Sequence, residues 1–315
     1  MLIVWLIRSG SLDFKSLDVF INRPLLLLAD LGVFAFAILM GSLRWRVLLR
    51  LANVRIPLGR AIQLQMTALF FNTAIPGGVG GDLVKSAYAA REAEPGKRPT
   101  VFLVVFVERM LGLGGMVIVA GIVILLRGPV LWNNPQLRGM AMVVATLAAI
   151  TVLAPAILVV IVRTSGGHLE RWTSGAGRLS KLASHLVASA RLVSAGPKYL
   201  AAALGLSMAL QGMSMLFFTV LAAAVTARDV PYSAIASVFP LGILTVMVPI
   251  SPVGVGVGHV AFDRLFALIG LSGGASVFNC YLFGQVLPCL LGAFPYLALK
   301  RSHALPTSGE TARGP

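Results

Sequence analysis

Charge is what this sequence has least of. Only 12% of its 315 residues are Asp, Glu, Lys or Arg, about half the ~25% of an ordinary soluble domain. That is too little charge to cover a water-facing surface, which excludes a soluble enzyme and a disordered chain. Acids are scarcest, 11 against 26 Lys and Arg, for a formal net charge of +15. Cysteine is nearly absent. Cys280 and Cys289 lie nine residues apart in one apolar segment, roughly 13 Å along a helix axis, beyond the reach of a disulfide. The four histidines are scattered, with no H-x-x-x-H pair, so no metal site is expected. The 33 glycines and 17 prolines follow no Gly-X-Y period, which excludes collagen. G-x-S-x-G, H-E-x-x-H and G-x-x-x-x-G-K-[ST] are all missing. The sequence therefore points away from an enzyme, a cofactor and a nucleotide-driven pump.

What the chain has is apolar length. Hydrophobic residues make up 57% and the mean hydropathy is +0.89. Against the ~20 residues needed to cross a bilayer, full spans read at 24–43, 101–126, 139–162, 199–224 and 277–299. The first is ended by Arg44-Trp45-Arg46. The expected fold is an all-α polytopic integral membrane protein, with one transmembrane domain over 1–301 and a polar, disordered tail over 302–315. Residues 163–198 are basic, with Glu170 as their one acid. Leu179, Leu182, Leu186 and Val187 fall there at helical spacing, which predicts an amphipathic helix on the membrane surface.

Two further apolar stretches are broken. Residues 61–92 break at Ile75-Pro76-Gly77-Gly78-Val79-Gly80-Gly81-Asp82. Residues 232–268 break at Pro249-Ile250-Ser251-Pro252-Val253-Gly254-Val255-Gly256-Val257-Gly258. Each predicts two half-helices forming a re-entrant hairpin. With 44–60, 80–98, 163–198 and 300–315 placed inside, 18 basic residues lie on that side and seven in the other loops. The positive-inside rule then gives a multi-pass protein of a bacterial-type inner (cell) membrane with a cytoplasmic C-terminus. On a soluble protein the same charge would suggest nucleic acid. Here no basic run is interleaved with stacking aromatics, and membrane headgroups account for it better, so nucleic acid is not an expected partner.

This orientation makes the first hairpin enter from the cytoplasm and the second from outside, so the flanking spans have opposite topology. Both tips share P-x-G-V-G, at Pro76–Gly80 and Pro252–Gly256. The expectation is an inverted repeat, with halves of about 1–126 and 139–301 and a site between them. The span at 139–162 lacks a counterpart ahead of residue 24, where only the apolar stub 1–7 stands. A start upstream of Met1 is the expectation that follows.

The first break is the more informative. Pro76 ends a half-helix, and the glycines expose backbone N–H groups. The next half-helix starts near Gly80, so its positive dipole end faces the break and suits a phosphate. Asp82 is a good capping residue, and Lys85 lies one turn on. The other reading is that the glycines serve close packing and Asp82 only caps. His259, after the second break, is either a headgroup contact, able to change charge near neutral pH, or a packed histidine hydrogen-bonded to a carbonyl. Glu108 and Arg109 stand inside a span, where ionisable groups face a cavity or a partner; Asp30, in another span, is a candidate partner. Gln63, Gln65, Thr73, Gln211, Asn279 and Gln285 read as interhelical hydrogen-bonding groups, as does Asn72, which also adjoins the first break.

Three stretches carry a family resemblance: Asn72–Lys85 (NTAIPGGVGGDLVK), Val107–Leu113 (VERMLGL) and Val248–Gly256 (VPISPVGVG). In this order and spacing, with Arg44-Trp45-Arg46, the chain resembles the lysylphosphatidylglycerol synthase transmembrane family, or flippase-like domain family, over nearly its whole length. Lys85 stands where members commonly have Arg, and His259 where they often have Glu. The resemblance implies a membrane domain that, in the best-known members, moves an aminoacylated phospholipid between leaflets. Those members carry an added aminoacyltransferase domain, which is not found here, so a stand-alone member without lysyl transfer is expected.

The functional expectation is a lipid transporter that binds a polar or phosphorylated headgroup of a phospholipid or lipid-linked substrate between two halves. Its candidate binding residues are Asn72, Pro76, Gly77, Gly78, Gly80, Gly81, Asp82 and Lys85 at the first break, with Glu108 and Arg109 lining the path. Ser251, Gly254, Gly256, Gly258 and His259 would bind at the second break. The alternative is a non-catalytic accessory subunit holding a lipid-modifying or glycosyl-transferring enzyme as its partner.

Overall fold

Proline and glycine set the helix boundaries. Pro24 and Pro197 occupy the first turns of long helices, where a missing N–H costs nothing. In this computed structural model the described residues are 14–74, 80–94, 98–126, 135–164, 187, 196–246 and 254–302. Their regular structure is helical, with no strand among them. The helices are α1 (Phe14–Asn22), α2 (Pro24–Leu49), α3 (Leu58–Ala74), α4 (Gly80–Glu92), α5 (Arg98–Leu126) and α6 (Pro135–Thr164). They continue with α7 (Pro197–Thr226), α8 (Tyr232–Val246), α9 (Val257–Leu268), α10 (Gly274–Cys289) and α11 (Ala293–Ser302). Short 3₁₀ turns follow α2 and α10.

Four helical stretches among the described residues are long and apolar enough to cross a membrane: Pro24–Leu49, Arg98–Leu126, Pro197–Thr226 and Gly274–Leu299. The chain is an all-α, multi-pass membrane protein. The helix over 139–162 is present as part of α6, whose Ala141–Ala154 stretch is apolar but shorter. Pro288 stands inside the last span, and the 3₁₀ turn Leu290–Gly292 follows it, in line with the interrupted helix ladder that proline imposes. Cys280 and Cys289 are both buried and form no disulfide.

Two apolar clusters mark opposite ends of the bundle. One gathers Phe20, the N-terminal part of α2, the C-terminal halves of α5 and α7, and much of α8, α9 and α10. The other gathers Trp45, Leu48 and Leu49 of α2, Ala61 and Leu64 of α3, Ala89 and Ala90 of α4, Val101, Val104 and Val107 of α5, Ala203 of α7 and Leu299 of α11. Thus α2 and the α10–α11 span run from the first cluster to the second, and α5 and α7 run back.

Each pair of short helices is an antiparallel hairpin. In the first, Lys85 meets Gln65 and Gly81 lies against the backbone of Ala68. In the second, Gly242 lies against Phe262, and Gly254 and Gly258 lie against Val246. A Cβ at Gly81 would run into the Ala68 carbonyl; glycine there lets two backbones touch. The α3–α4 hairpin packs into one cluster and the α8–α9 hairpin into the other.

Two details differ from the sequence reading. Residues 14–22, which belong to none of the apolar runs, form α1, which buries Phe20 near Phe283 with ring centroids 6.4 Å apart. A search for span-length apolar runs overlooks a nine-residue amphipathic helix. Second, α2 does not stop at Arg44-Trp45-Arg46 but continues to Leu49, with Trp45 wholly buried. The expected surface helix within 163–198, the stub at 1–7 and the tail beyond 302 lie outside the described residues, apart from the ends of α6 and α7 and Val187.

Candidate functional site

A buried polar cluster lies where α2, α3, α4, α5 and α7 meet. Glu108 of α5 is its centre. One carboxylate oxygen accepts from Lys85 Nζ of α4 at 2.8 Å, the other from Arg44 Nη2 of α2 at 3.2 Å. Lys85 also donates to Gln65 Oε1 at 3.1 Å, and its ammonium lies 4.7 Å from the centroid of the Trp45 ring, a cation–π arrangement. Arg44 donates from Nη1 to Ser207 Oγ of α7 at 3.1 Å. Gly112 gives the guanidinium room, its Cβ position 3.4 Å from Arg44 Nη1, and Gly115 lets α5 press against Ser207.

A second pair sits closer to the hairpin tip. Arg109 Nε donates to Asp82 Oδ2. This pair is more exposed, at 30% and 14% of the side chains, than Lys85 and Glu108 at 2% and 5%. The ionic groups therefore grade from partly open at Asp82–Arg109 to closed at Lys85–Glu108. Three cations against two carboxylates leave a formal charge of +1. Arg44 Nε and Trp45 Nε1 are buried with no hydrogen-bond partner among the described residues.

Depth follows from helix length. Arg44 stands twenty residues along α2, and Glu108 eighteen residues before the end of α5. At 1.5 Å per residue, both are ~27–30 Å from the far ends of their helices. That length matches the ~30 Å thickness of a hydrocarbon core.

The candidate residues fall into two groups. Asn72, Gly81, Asp82, Lys85, Glu108 and Arg109 come together around the first hairpin. Asn72, not Asp82, caps α4: its Oδ1 accepts from the Gly81 N–H at 2.8 Å, while Asp82 turns its carboxylate to Arg109. Gly80 opens α4. Gly254, Gly256, Gly258 and His259 form the turn into α9, in the opposite apolar cluster. Gly254 and Gly256 have φ of 75° and 81°, which favours glycine. His259 Nδ1 accepts from the Gly256 N–H at 3.3 Å, Nε2 lies 3.4 Å from Asn279 Oδ1, and the ring meets Phe278 edge-on. Pro76, Gly77, Gly78 and Ser251 lie outside the described residues. Asp30 joins neither group: it packs against Gly284 of α10, and the partners of Glu108 are Lys85 and Arg44.

With the ion cluster and both hairpins placed, the comparison with known proteins is specific. Residues 1–286 match the family described as lysylphosphatidylglycerol synthase TM region. The chain belongs to that family. No curated protein and no solved structure matches it. A lysylphosphatidylglycerol synthase TM region is a membrane domain associated with lipid-related functions, and in other proteins it is paired with a catalytic domain. Every candidate residue, from Asn72 to His259, lies within the matched part.

Sequence reasoning missed Arg44, Trp45 and Ser207. In the sequence Arg44 stands among the flanking basic residues that set orientation. Its signal was charge balance: Glu108 in an apolar span needs cations beyond adjacent Arg109, and few ionisable residues lie at comparable depth.

Proposed function

We propose that this protein moves a polar or phosphorylated lipid headgroup across the bilayer. The observation that carries the reading is the graded ionic chain, from Arg109–Asp82 near the hairpin tip to Lys85–Glu108–Arg44 within. It is formally cationic and set among apolar spans. Ionisable groups at membrane depth are costly and typically mark a substrate or ion path. An anionic headgroup entering beside Asp82 would compete for Arg109 and then for Lys85 and Arg44, exchanging one carboxylate partner for a phosphate.

The two-ended packing of the hairpins supports an inverted arrangement. One broken hairpin lies at each end, between spans of opposite direction, as in transporters whose site is at the repeat interface. In this proposal both hairpins are re-entrant, the membrane is the cell membrane, and the α3–α4 end faces the cytoplasm with the C-terminus. Gly254, Gly256 and His259 then serve the far leaflet.

The test is headgroup accessibility in proteoliposomes, using fluorescent phospholipids and one lipid-linked sugar. Protein-dependent movement that Asp82→Ala and Glu108→Ala abolish is the expected result. Folded protein that moves none of these lipids overturns the proposal.

A further inference from the structure

A second basic site lies on the other side of the α2 terminus. A cavity of about 530 Å³ is lined by Arg46, Arg50, Asn53, Arg55, Ile56 and Tyr199. Three arginines line it, and no Asp or Glu does among the described residues. Among the described residues none of these arginines has an Asp or Glu partner, unlike Arg44 and Arg109. We propose that this cavity binds the phosphate of an anionic lipid headgroup, at a site separate from the Glu108 cluster.

The local fold explains why the arginines converge. Arg46 and Arg50 are four residues apart and share a face of α2 and its 3₁₀ extension. The helix then ends in a Schellman turn: Val54 N–H donates to Leu49 O at 3.0 Å and Asn53 N–H to Arg50 O at 3.1 Å. Asn53 takes the left-handed conformation, with φ of 54°. The chain reverses, bringing Arg55 back beside the helix. Arg46 Nε holds the returning segment through Ile56 O at 3.0 Å. Gly196 seats against Leu51 with no room for a Cβ, which places the first turn of α7, and so Tyr199, at the rim.

Like charges four apart on a helix repel, and this fold adds a third. An anion offsets that repulsion, and the guanidinium fork matches phosphate oxygens two at a time. The volume suits a small polar ligand. Depth points to a lipid source. Arg44 is ~30 Å along α2, so Arg46, Arg50 and Arg55 lie just past the hydrocarbon boundary, at headgroup level, with a tyrosine of the kind found at that interface. Basic pockets at this level take anionic headgroups. Arg44 and Arg46 point ~200° apart around the helix, with Trp45 buried between them, so the two sites do not share a wall.

The full chain in detergent is titrated calorimetrically with dioctanoyl phosphatidic acid, and in parallel with inorganic phosphate and dioctanoyl phosphatidylcholine. The test variant is Arg50→Gln/Arg55→Gln, which leaves the Arg46–Ile56 bond intact. Phosphatidic acid is expected to bind the native chain more tightly than phosphatidylcholine, and the variant to lose at least about tenfold in affinity. Displacement by inorganic phosphate would assign the site to the phosphate group from either source. Lipid binding without displacement would assign it to the headgroup of a lipid. Equal affinity for variant and native protein, or for the two lipids, overturns the proposal. If the double variant does not purify folded, Arg55→Glu in the exposed returning segment replaces it, and unchanged affinity again overturns the site.

Discussion

Lys85 and Glu108 meet at 2.8 Å with 2% and 5% of their side chains exposed, 23 residues apart in sequence and on different helices. The pair ties the first hairpin to α5, and Arg44 ties the same carboxylate to α2. A buried ion pair is weak support for stability by itself, because desolvation consumes much of the attraction. Breaking one is costly, because the remaining charge is stranded.

Glu108→Gln leaves two cations facing a neutral amide. The expected loss is about 3–5 kcal/mol, read as a lower Tm in detergent. Lys85→Met in the same chain removes one stranded charge, so the double variant is expected to be more stable than Glu108→Gln alone. Additive losses across this double-mutant cycle would show that the two groups do not act as a pair.

Gly81 and Gly256 are glycine for different reasons, and alanine separates them. At Gly81 a methyl group meets the Ala68 backbone, which cannot swing away, so Gly81→Ala is expected to cost about 1–3 kcal/mol through overpacking. At Gly256 the space is open but φ is 81°, so Gly256→Ala costs about 1–2 kcal/mol through backbone strain. A compensating Ala68→Gly substitution leaves that carbonyl in place and should rescue neither. Thermal melts of the single and paired variants check this.

Asp82 and Arg109 differ from the deeper pair in exposure. Ion pairs in contact with solvent contribute about 0–1 kcal/mol, so Asp82→Asn should leave the Tm nearly unchanged. If the pair is the entrance to a headgroup path, the same variant slows lipid movement in proteoliposomes by a factor far larger than that stability change. Loss of stability and movement in proportion would instead make Asp82 a structural residue.

Much of this fold is legible in the sequence because bilayer thickness and backbone hydrogen bonding leave few choices. Gly80–Glu92 and Tyr232–Val246 fall where Pro and Gly break the apolar runs, and the long spans need only hydropathy. The site is less legible. Asp82, Lys85, Glu108 and Arg109 stand out as charges near or within apolar runs, but their pairing does not. Glu108 adjoins Arg109 in sequence yet bonds Lys85 and Arg44. Adjacent helical residues point ~100° apart, so neighbours in sequence face different helices. Arg44 is hidden for a related reason: a span-end arginine looks the same whether it turns to the next loop, as Arg46 does toward Ile56, or inward.

Asp30 offers a test that does not depend on the ion cluster. It is 1% exposed, its Oδ1 has no hydrogen-bond partner among the described residues, and Gly284 lies directly against its carboxyl group. A buried polar oxygen without a partner is unfavourable by about 1–3 kcal/mol, so Asp30 lowers stability where it stands. Asp30→Leu, which fills the space with apolar atoms, is expected to raise the Tm. Gly284→Ala is expected to lower it, because a methyl group there runs into the carboxyl oxygens. The two positions must then be coupled: in an Asp30→Ala background the space is vacated, and Gly284→Ala should become close to neutral. Melting curves of the four combinations decide the packing argument. If Asp30→Leu instead leaves the Tm unchanged and stops lipid movement, Asp30 belongs to the transport path, and its unpartnered oxygen is held in place for function.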